Sequence, residues 1–230
     1  LPNCASFRVY GSSEAPTVSL GIAPGDLVER GATTDGRIYN HEVRIVDPAT
    51  GAELGTGEQG EILTRGPEVM LGYTDPEQTA EAFDSDGFFR TGDLGSVDAE
   101  HYITVSGRTK DLVIRGGENI SPKEIEDVLH RHPAVSEVAI VAMPHQRMGE
   151  TPCAYVILRL GATLDLAEVT RFLEANGLAR QKFPERLVIV DELPRTASGK
   201  VLKHVLRTRA AAEFAGRPCL SDEAGAGGRQ

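Results

Sequence analysis

The chain contains no stretch approaching the ~18 consecutive apolar residues of a membrane-spanning helix, and Leu1-Pro2-Asn3-Cys4 lacks the basic-then-apolar pattern of a secretory leader. Cysteine is scarce. Cys4, Cys153 and Cys219 are odd in number and show no CxxC spacing, which argues against a disulfide framework or zinc site and for reduced thiols. The expectation is a soluble, cytoplasmic protein with no transmembrane segment. Positive charge is also short: 24 Lys and Arg stand against 34 Asp and Glu, a net charge of −10, so the basic footprint of a nucleic-acid binder is missing. Any anionic ligand must then be met by a few local cations. An initiator methionine is absent too, and the chain reads as a cut piece of something longer. What is present is core material, since 40% of the 230 residues are apolar, enough for one large domain or two small ones.

That apolar material follows two periods. Between about residues 36 and 108 it reads as short strands: Glu42-Val43-Arg44-Ile45-Val46 alternates, and Gly60-Glu61-Ile62-Leu63-Thr64-Arg65 and Tyr102-Ile103-Thr104-Val105 follow. The turn signals Asp47-Pro48, Thr50-Gly51, Asp86-Gly87 and Gly92-Asp93 separate them, predicting a small antiparallel sheet or distorted β-barrel. Beyond Arg108 the pattern changes. Ser121-Pro122-Lys123-Glu124 reads as a capping box with proline at the first helical position, ahead of Ile125, Val128 and Leu129. Strands are expected over 135–142, 153–160 and 187–190, and a helix over 165–176 with Gly177 as its stop. A last helix carries Val201, Leu202, Val205 and Leu206, and the Gly- and Ala-rich tail from 216 to 230 reads as disordered. The order αββαβα makes the second part a compact α+β domain, and the fold class of the whole chain α+β.

One motif is a decoy. Gly55-Thr56-Gly57-Glu58-Gln59-Gly60 matches GxGxxG, but the dinucleotide fingerprint must end a strand and open a helix, whereas here a turn precedes and a strand follows.

Five segments stand in order: Tyr10-Gly11-Ser12-Ser13-Glu14, Thr91-Gly92-Asp93, Gly107-Arg108-Thr109-Lys110-Asp111, Arg115-Gly116-Gly117-Glu118-Asn119, and Pro194-Arg195-Thr196-Ala197-Ser198-Gly199-Lys200. Each alone has an ordinary reading: Thr-Gly-Asp is a common turn, Arg-Gly-Gly a tight turn, and Lys200 a solvated charge in a helix's first turn. Together, with Gly60-Glu61-Ile62, Gly72-Tyr73 and His132-Pro133-Ala134-Val135 interleaved, they resemble the core motifs of the adenylate-forming superfamily, in particular fatty-acyl and other carboxylate–CoA ligases. The resemblance runs from about Tyr10 to Arg207. It implies residues 1–109 as the C-terminal, β-rich portion of a large AMP-binding domain, 110–215 as a mobile lid domain, and 216–230 as the tail.

The resemblance also implies a reaction. A carboxylic acid, expected to be a fatty acid, is activated by ATP with Mg²⁺ to an acyl-adenylate, and the acyl group then passes to CoA, releasing AMP and pyrophosphate. The attacking carboxylate meets the phosphates of ATP, so positive charge must be supplied there, and Lys200 matches the family's adenylation lysine. Asp93 matches the carboxylate that accepts from both ribose hydroxyls, and Arg108 a nucleotide-contacting arginine. Tyr10 would stack on adenine, with Gly11 beside it; Ser13, where threonine is commoner, would hold a phosphate or acyl-adenylate oxygen, and Glu14 would bind Mg²⁺. Lys110 matches the hinge whose torsions change when the lid swings between its two orientations. In the second orientation Gly116 and Gly117 would admit the pantetheine arm of CoA.

His130 and His132, two residues apart, are not read as a metal site, and His41, His101, His145 and His204 have no ligand-spaced partner. The family's Ser/Thr/Gly-rich phosphate loop, which ends in a lysine, has no counterpart in these residues, so the chain by itself is expected to be catalytically incomplete. Two alternatives stay open: the acyl acceptor is a carrier protein, or the chain is a silent regulatory module in which a lysine acetyltransferase modifies Lys200.

Overall fold

The period-two segments form strands, and the computed structural model, which describes residues 6–214, assembles them into two sheets. By its contacts the chain divides into two units, Leu1–Lys110 and Asp111–Gln230. The tail at 216–230, Cys4 and Cys219 lie outside the described residues.

The first unit contains α1 (Glu29–Thr33), β1 (Glu42–Val46), β2 (Gly60–Arg65), α2 (Pro76–Ala82), β3 (Phe89–Val97) and β4 (Ile103–Arg108). Its sheet runs in the order β1-β2-β3-β4, antiparallel throughout, and does not close, so the distorted-barrel alternative gives way to an open sheet. The sequence missed β3, reading Gly92-Asp93 as a turn between strands. The correction lies in the register: Glu61 pairs with Leu94 and Leu63 with Arg90, so Thr91, Gly92 and Asp93 all stand opposite the single residue Ile62. The triplet is a bulge within a strand, and glycine and aspartate there weaken the strand signal. Ile62, Ile45, Phe89 and Ile103 fill one core with Tyr10, Ala15 and Val18. Residues 55–59 form a loop that feeds β2 at Gly60, so no helix opens there and the dinucleotide reading is excluded by context.

The second unit begins with a single 3₁₀ turn, Thr109–Asp111 straddling the boundary, and then runs β5 (Val113–Arg115), β6 (Glu118–Ile120), α3 (Pro122–Leu129), β7 (Val135–His145), β8 (Gly149–Leu158), α4 (Leu166–Ala175), β9 (Arg186–Ile189) and α5 (Lys203–Phe214). β7 lies antiparallel to β8 on one edge, while β9, parallel, and β5 share the other. Alternation divides the apolar run of β7 between two faces. Val138, Ile140 and Ala142 pack with α3 and α4, whereas Ala139, Val141 and Met143 pack with Leu206, Ala210 and Phe214 of α5. A strand covered on both faces needs a continuous apolar run, and Val-Ala-Ile-Val-Ala-Met supplies one. Burying Leu206 fully contributes ~1.5–3 kcal/mol to holding α5 on the sheet.

Three details differ from expectation. The β5–β6 hairpin was missed because two three-residue strands are too short to display a period. Ser121 is the N-cap of α3 and Pro122 its first residue, but the serine side chain makes no capping bond, so the capping box does not form. The last helix begins at Lys203, leaving Val201, Leu202 and Lys200 in the preceding loop. By contrast Asp165 caps α4 through the Glu168 amide at 2.7 Å, and Gly177 ends it at φ +79°.

Candidate active site

The bulge of β3 turns Asp93 toward two motif residues remote in sequence. Thr91 fixes the bulge by donating its hydroxyl to the Ile62 carbonyl (2.7 Å) and accepting from the Asp93 amide (3.0 Å). Across the sheet Asp93 is in register with Arg108, whose Nε donates to Asp93 Oδ1 at 2.7 Å. The phenol of Tyr10 donates to the other oxygen, Oδ2, at 2.8 Å. Tyr10, Asp93 and Arg108 are thus one hydrogen-bonded cluster. Burial of the Tyr10 ring, and then the Asp93 carboxylate, push the phenol far above its ordinary range, so it remains a donor at all ordinary pH. Each carboxylate oxygen carries two acceptor sites and uses one here, which leaves capacity for two further donors.

The extended segment carrying Tyr10 continues into a tight turn. Ser12 N–H donates to the Ala15 carbonyl at 2.9 Å, and a Cβ at Gly11 would collide with the Pro16 carbonyl, so Gly11 is required by the turn itself. Ser13 is exposed at its tip. Glu14 accepts from the Tyr73 hydroxyl at 3.3 Å. Its own backbone N–H, then the Ser12 and Tyr73 hydroxyls and the nearby Arg108, hold its carboxyl below the usual range. An ionised, partly exposed carboxylate suits Mg²⁺, which takes one or two carboxylates and completes its shell with water and phosphate oxygens. Among the described residues no cluster of three or more His, Cys, Asp or Glu forms a metal cage. A groove of about 500 Å³ walled by Leu20, Ile22, Arg37, Tyr39 and His101 includes none of these motif residues.

Gly116, Gly117 and Lys200 belong to the second unit. Gly116 and Gly117 are the two-residue loop between β5 and β6, with φ +59° and +89°. Positive φ at both central positions is the hairpin turn that only residues without a Cβ adopt freely. Lys200 is exposed in a small closed loop. The Thr196 amide donates to the Lys200 carbonyl (2.9 Å), the Lys200 amide to Thr196 Oγ1 (3.1 Å), and Arg195 to the Gly199 carbonyl (2.8 Å). Arg195 also pairs with Glu137, near the start of β7. The Gly116 amide instead donates to the Met148 carbonyl, 2.8 Å away, just past the end of β7. Eight residue steps of strand lead from Glu137 to His145, roughly 26 Å at ~3.3 Å each. Lys200 and the glycine pair therefore sit at opposite ends of one sheet. Lys110, the last residue of the first unit, lies in the 3₁₀ turn.

The sequence matches the family model described as AMP-binding enzyme over residues 1–74 and that of the AMP-binding enzyme C-terminal domain over residues 124–200. The chain belongs to the adenylate-forming, AMP-binding enzyme family. Among its relatives, the medium-chain fatty-acid–CoA ligase of Escherichia coli (strain K12) is 43% identical over 204 residues, covering 87% of this chain and 36% of the relative. Enterobactin synthase component E of the same organism is 48% identical over 207 residues, covering 89% and 38%. The ATP-bound crystal structure of MatB from Rhodopseudomonas palustris superposes with a TM-score of 0.80 at 42% identity, covering 87% of this chain and 39% of that one. The chain thus spans well under half the length of these adenylate-forming relatives. Its family is ATP-dependent.

Two contacts around these motif residues have no local signal in the sequence. Tyr73 was seen only as part of the Gly72-Tyr73 framework, although its hydroxyl reaches Glu14 from 59 residues away. Thr91 was seen only as the first residue of a turn, and no local signal reveals that its hydroxyl sets the bulge.

Proposed function

We propose that the protein to which this chain belongs is an acid–CoA ligase: it activates a carboxylic acid with ATP to an acyl-adenylate and passes the acyl group to CoA. In the first half-reaction a carboxylate oxygen attacks the α-phosphorus of ATP and the bond to pyrophosphate breaks. Asp93 accepts from the ribose hydroxyls with its remaining lone pairs, Arg108 holds Asp93 and adds positive charge, and the Tyr10 ring offers a face to adenine. Ser13 holds a phosphate oxygen, Glu14 would hold Mg²⁺, which when bound would supply positive charge to the phosphates, and Lys200 stabilises the negative charge developing in the transition state. In the second half-reaction the CoA sulfur attacks the acyl carbon and AMP leaves, with the side-chain-free edge at Gly116-Gly117 making room for pantetheine.

The observation that carries this reading is the separation of Lys200 and Gly116-Gly117 to opposite ends of β7 within one unit. One end supports adenylation and the other thioester formation, and a pivot at Lys110 lets the unit present each in turn. Domain boundaries at 109/110 and 215/216 belong to the same reading, as does inactivity of the 230-residue chain alone. Transfer to a carrier protein is the second reading, favoured by the 48% identity to a component of enterobactin synthase.

The test uses the full-length protein with ATP, Mg²⁺ and a panel of carboxylic acids, with and without CoA, read by mass spectrometry. Acyl-CoA with AMP supports the ligase and names its acid. Acyl-adenylate that never reaches CoA moves the acceptor to a carrier protein, and no product with any acid refutes the adenylating reading.

A further inference from the structure

A buried charged network in the second unit is used by neither half-reaction as described so far. Arg115, the last residue of β5, pairs with Glu185, and the two side chains are only 11% and 5% exposed. Arg115 also donates through Nη1 to the Gln181 carbonyl at 2.6 Å. The other oxygen of Glu185 lies 3.8 Å from Nε2 of His145, whose ring is fully buried. Nδ1 of that ring accepts from the amides of Arg147 (3.1 Å) and Met148 (3.2 Å). An Nδ1 that accepts leaves the proton on Nε2, facing the carboxylate.

Burying charge is unfavourable unless the geometry is fixed by further bonds, so the network ties together the segments it joins. Glu185 is itself anchored by its amide to the Pro152 carbonyl of β8, 2.9 Å away. It bonds β5 through Arg115 and packs against the β7–β8 turn at His145, whose Nε2 faces it at 3.8 Å. That turn then grips the hairpin: the Met148 carbonyl accepts from Gly116 N–H, and the Met148 methyl lies where a Cβ on Gly116 would fall, 2.6 Å from it. Glu150 adds a bond to the Ile114 amide at 2.8 Å. The segments around Glu185 and Met148, distant in sequence from the hairpin, thus fix its Arg115 and Gly116.

We propose that Arg115, Glu185 and His145 are positioning residues for the Gly116-Gly117 hairpin, setting it for the thioester-forming half of the reaction. The proposal deepens the ligase reading and rests on it. None of the three touches the reacting atoms; they act through the backbone that the CoA arm must pass.

The experiment compares wild type with Glu185→Gln, Arg115→Lys, His145→Asn and His145→Phe in the full-length protein, each checked for folding by thermal melt. Three quantities are read: hydrogen exchange of residues 113–120, acid-dependent ATP–pyrophosphate exchange, and thioester formation from supplied acyl-adenylate at varied CoA. Glu185→Gln is expected to speed exchange at the hairpin about 10-fold or more, since it releases a locally stabilised segment. It slows the thioester step or raises its KM for CoA, up to about 10²-fold, with pyrophosphate exchange kept within about twofold. His145→Asn, whose amide oxygen takes over both N–H groups of the turn, retains most of the thioester step, and His145→Phe does not. If Glu185→Gln fails to fold, Arg115→Lys and the His145 pair decide by the same readouts. Unchanged hairpin exchange, or adenylation falling as far as thioester formation, overturns the proposal. A wild type that forms no acyl-CoA overturns the ligase reading and the thioester half of this proposal with it, an outcome recognised because the unmutated protein is itself silent.

Discussion

Replacing Asp93 by asparagine tests the cluster at the centre of the first unit. Asparagine keeps the shape but offers one acceptor oxygen and one donor nitrogen where the carboxylate offered two acceptors. It can satisfy the Tyr10 phenol or Arg108 Nε, not both, whichever way the amide is turned. Losing the arginine contact costs ~1 kcal/mol at most, because Arg108 is 34% exposed and finds water. Losing the phenol contact costs ~1–3 kcal/mol, since Tyr10 is buried and its donor is stranded. The amide should turn its oxygen to Tyr10 and sacrifice the cheaper bond. The expected loss is therefore ~1 kcal/mol, a fall of about 4 °C in the melting temperature of a unit of this size. Nucleotide affinity should fall further, because a charged acceptor for two ribose hydroxyls is replaced by a neutral one; at ~1.5 kcal/mol or more per charge-assisted bond, AMP should bind at least about 10-fold more weakly. Calorimetric titration of AMP into the full-length protein, with a thermal melt of each variant, measures both. Tyr10→Phe is the control: it loses melting temperature but keeps the ring, so its affinity should change less than that of Asp93→Asn. Equal AMP affinity for Asp93→Asn and wild type would refute the assignment of Asp93 to the ribose.

Other substitutions give further checks. Gly117→Val places a branched side chain at φ +89° in the hairpin, and should slow thioester formation at least about 10-fold while sparing pyrophosphate exchange, measured as separate partial reactions. Tyr155 is buried with its hydroxyl lacking a hydrogen-bond partner among the described residues, so Tyr155→Phe should stabilise the second unit by ~1 kcal/mol in a denaturant melt. Burial, with Cys153 nearby, pushes the same phenol up to about 12. Because the folded state then keeps a proton that the unfolded chain releases above ~10, stability is full below pH ~10 and declines as pH rises toward about 12, by at most ~1.4 kcal/mol per pH unit. Tyr155→Phe should flatten that part of an alkaline melting series, and an unchanged slope would show the phenol to be unimportant.

The motif residues were legible because each is a short run of unusual composition in a fixed order, and the strands and helices of the second unit because their apolar periods run long enough to count. What was not legible depended on distance. Tyr10 and Asp93 meet across 83 residues, and nothing near either predicts that a phenol and a carboxylate will share a proton donor's geometry. The Thr91-Gly92-Asp93 triplet carries the composition of a turn because a bulge and a turn need the same backbone freedom; only the register against Ile62 separates them. Arg115 and Glu185 have no sequence signal at all, being brought together when β5 and β9 share an edge of β8.

The central claim is that one unit uses its two ends for two half-reactions, and Lys200→Ala in the full-length protein tests it most directly. Pyrophosphate exchange and the conversion of supplied acyl-adenylate to acyl-CoA are measured side by side. Adenylation should fall by about 10²-fold or more, as when a single charge-stabilising group is removed, while thioester formation stays within about twofold of wild type. Equal loss of both steps would contradict the account.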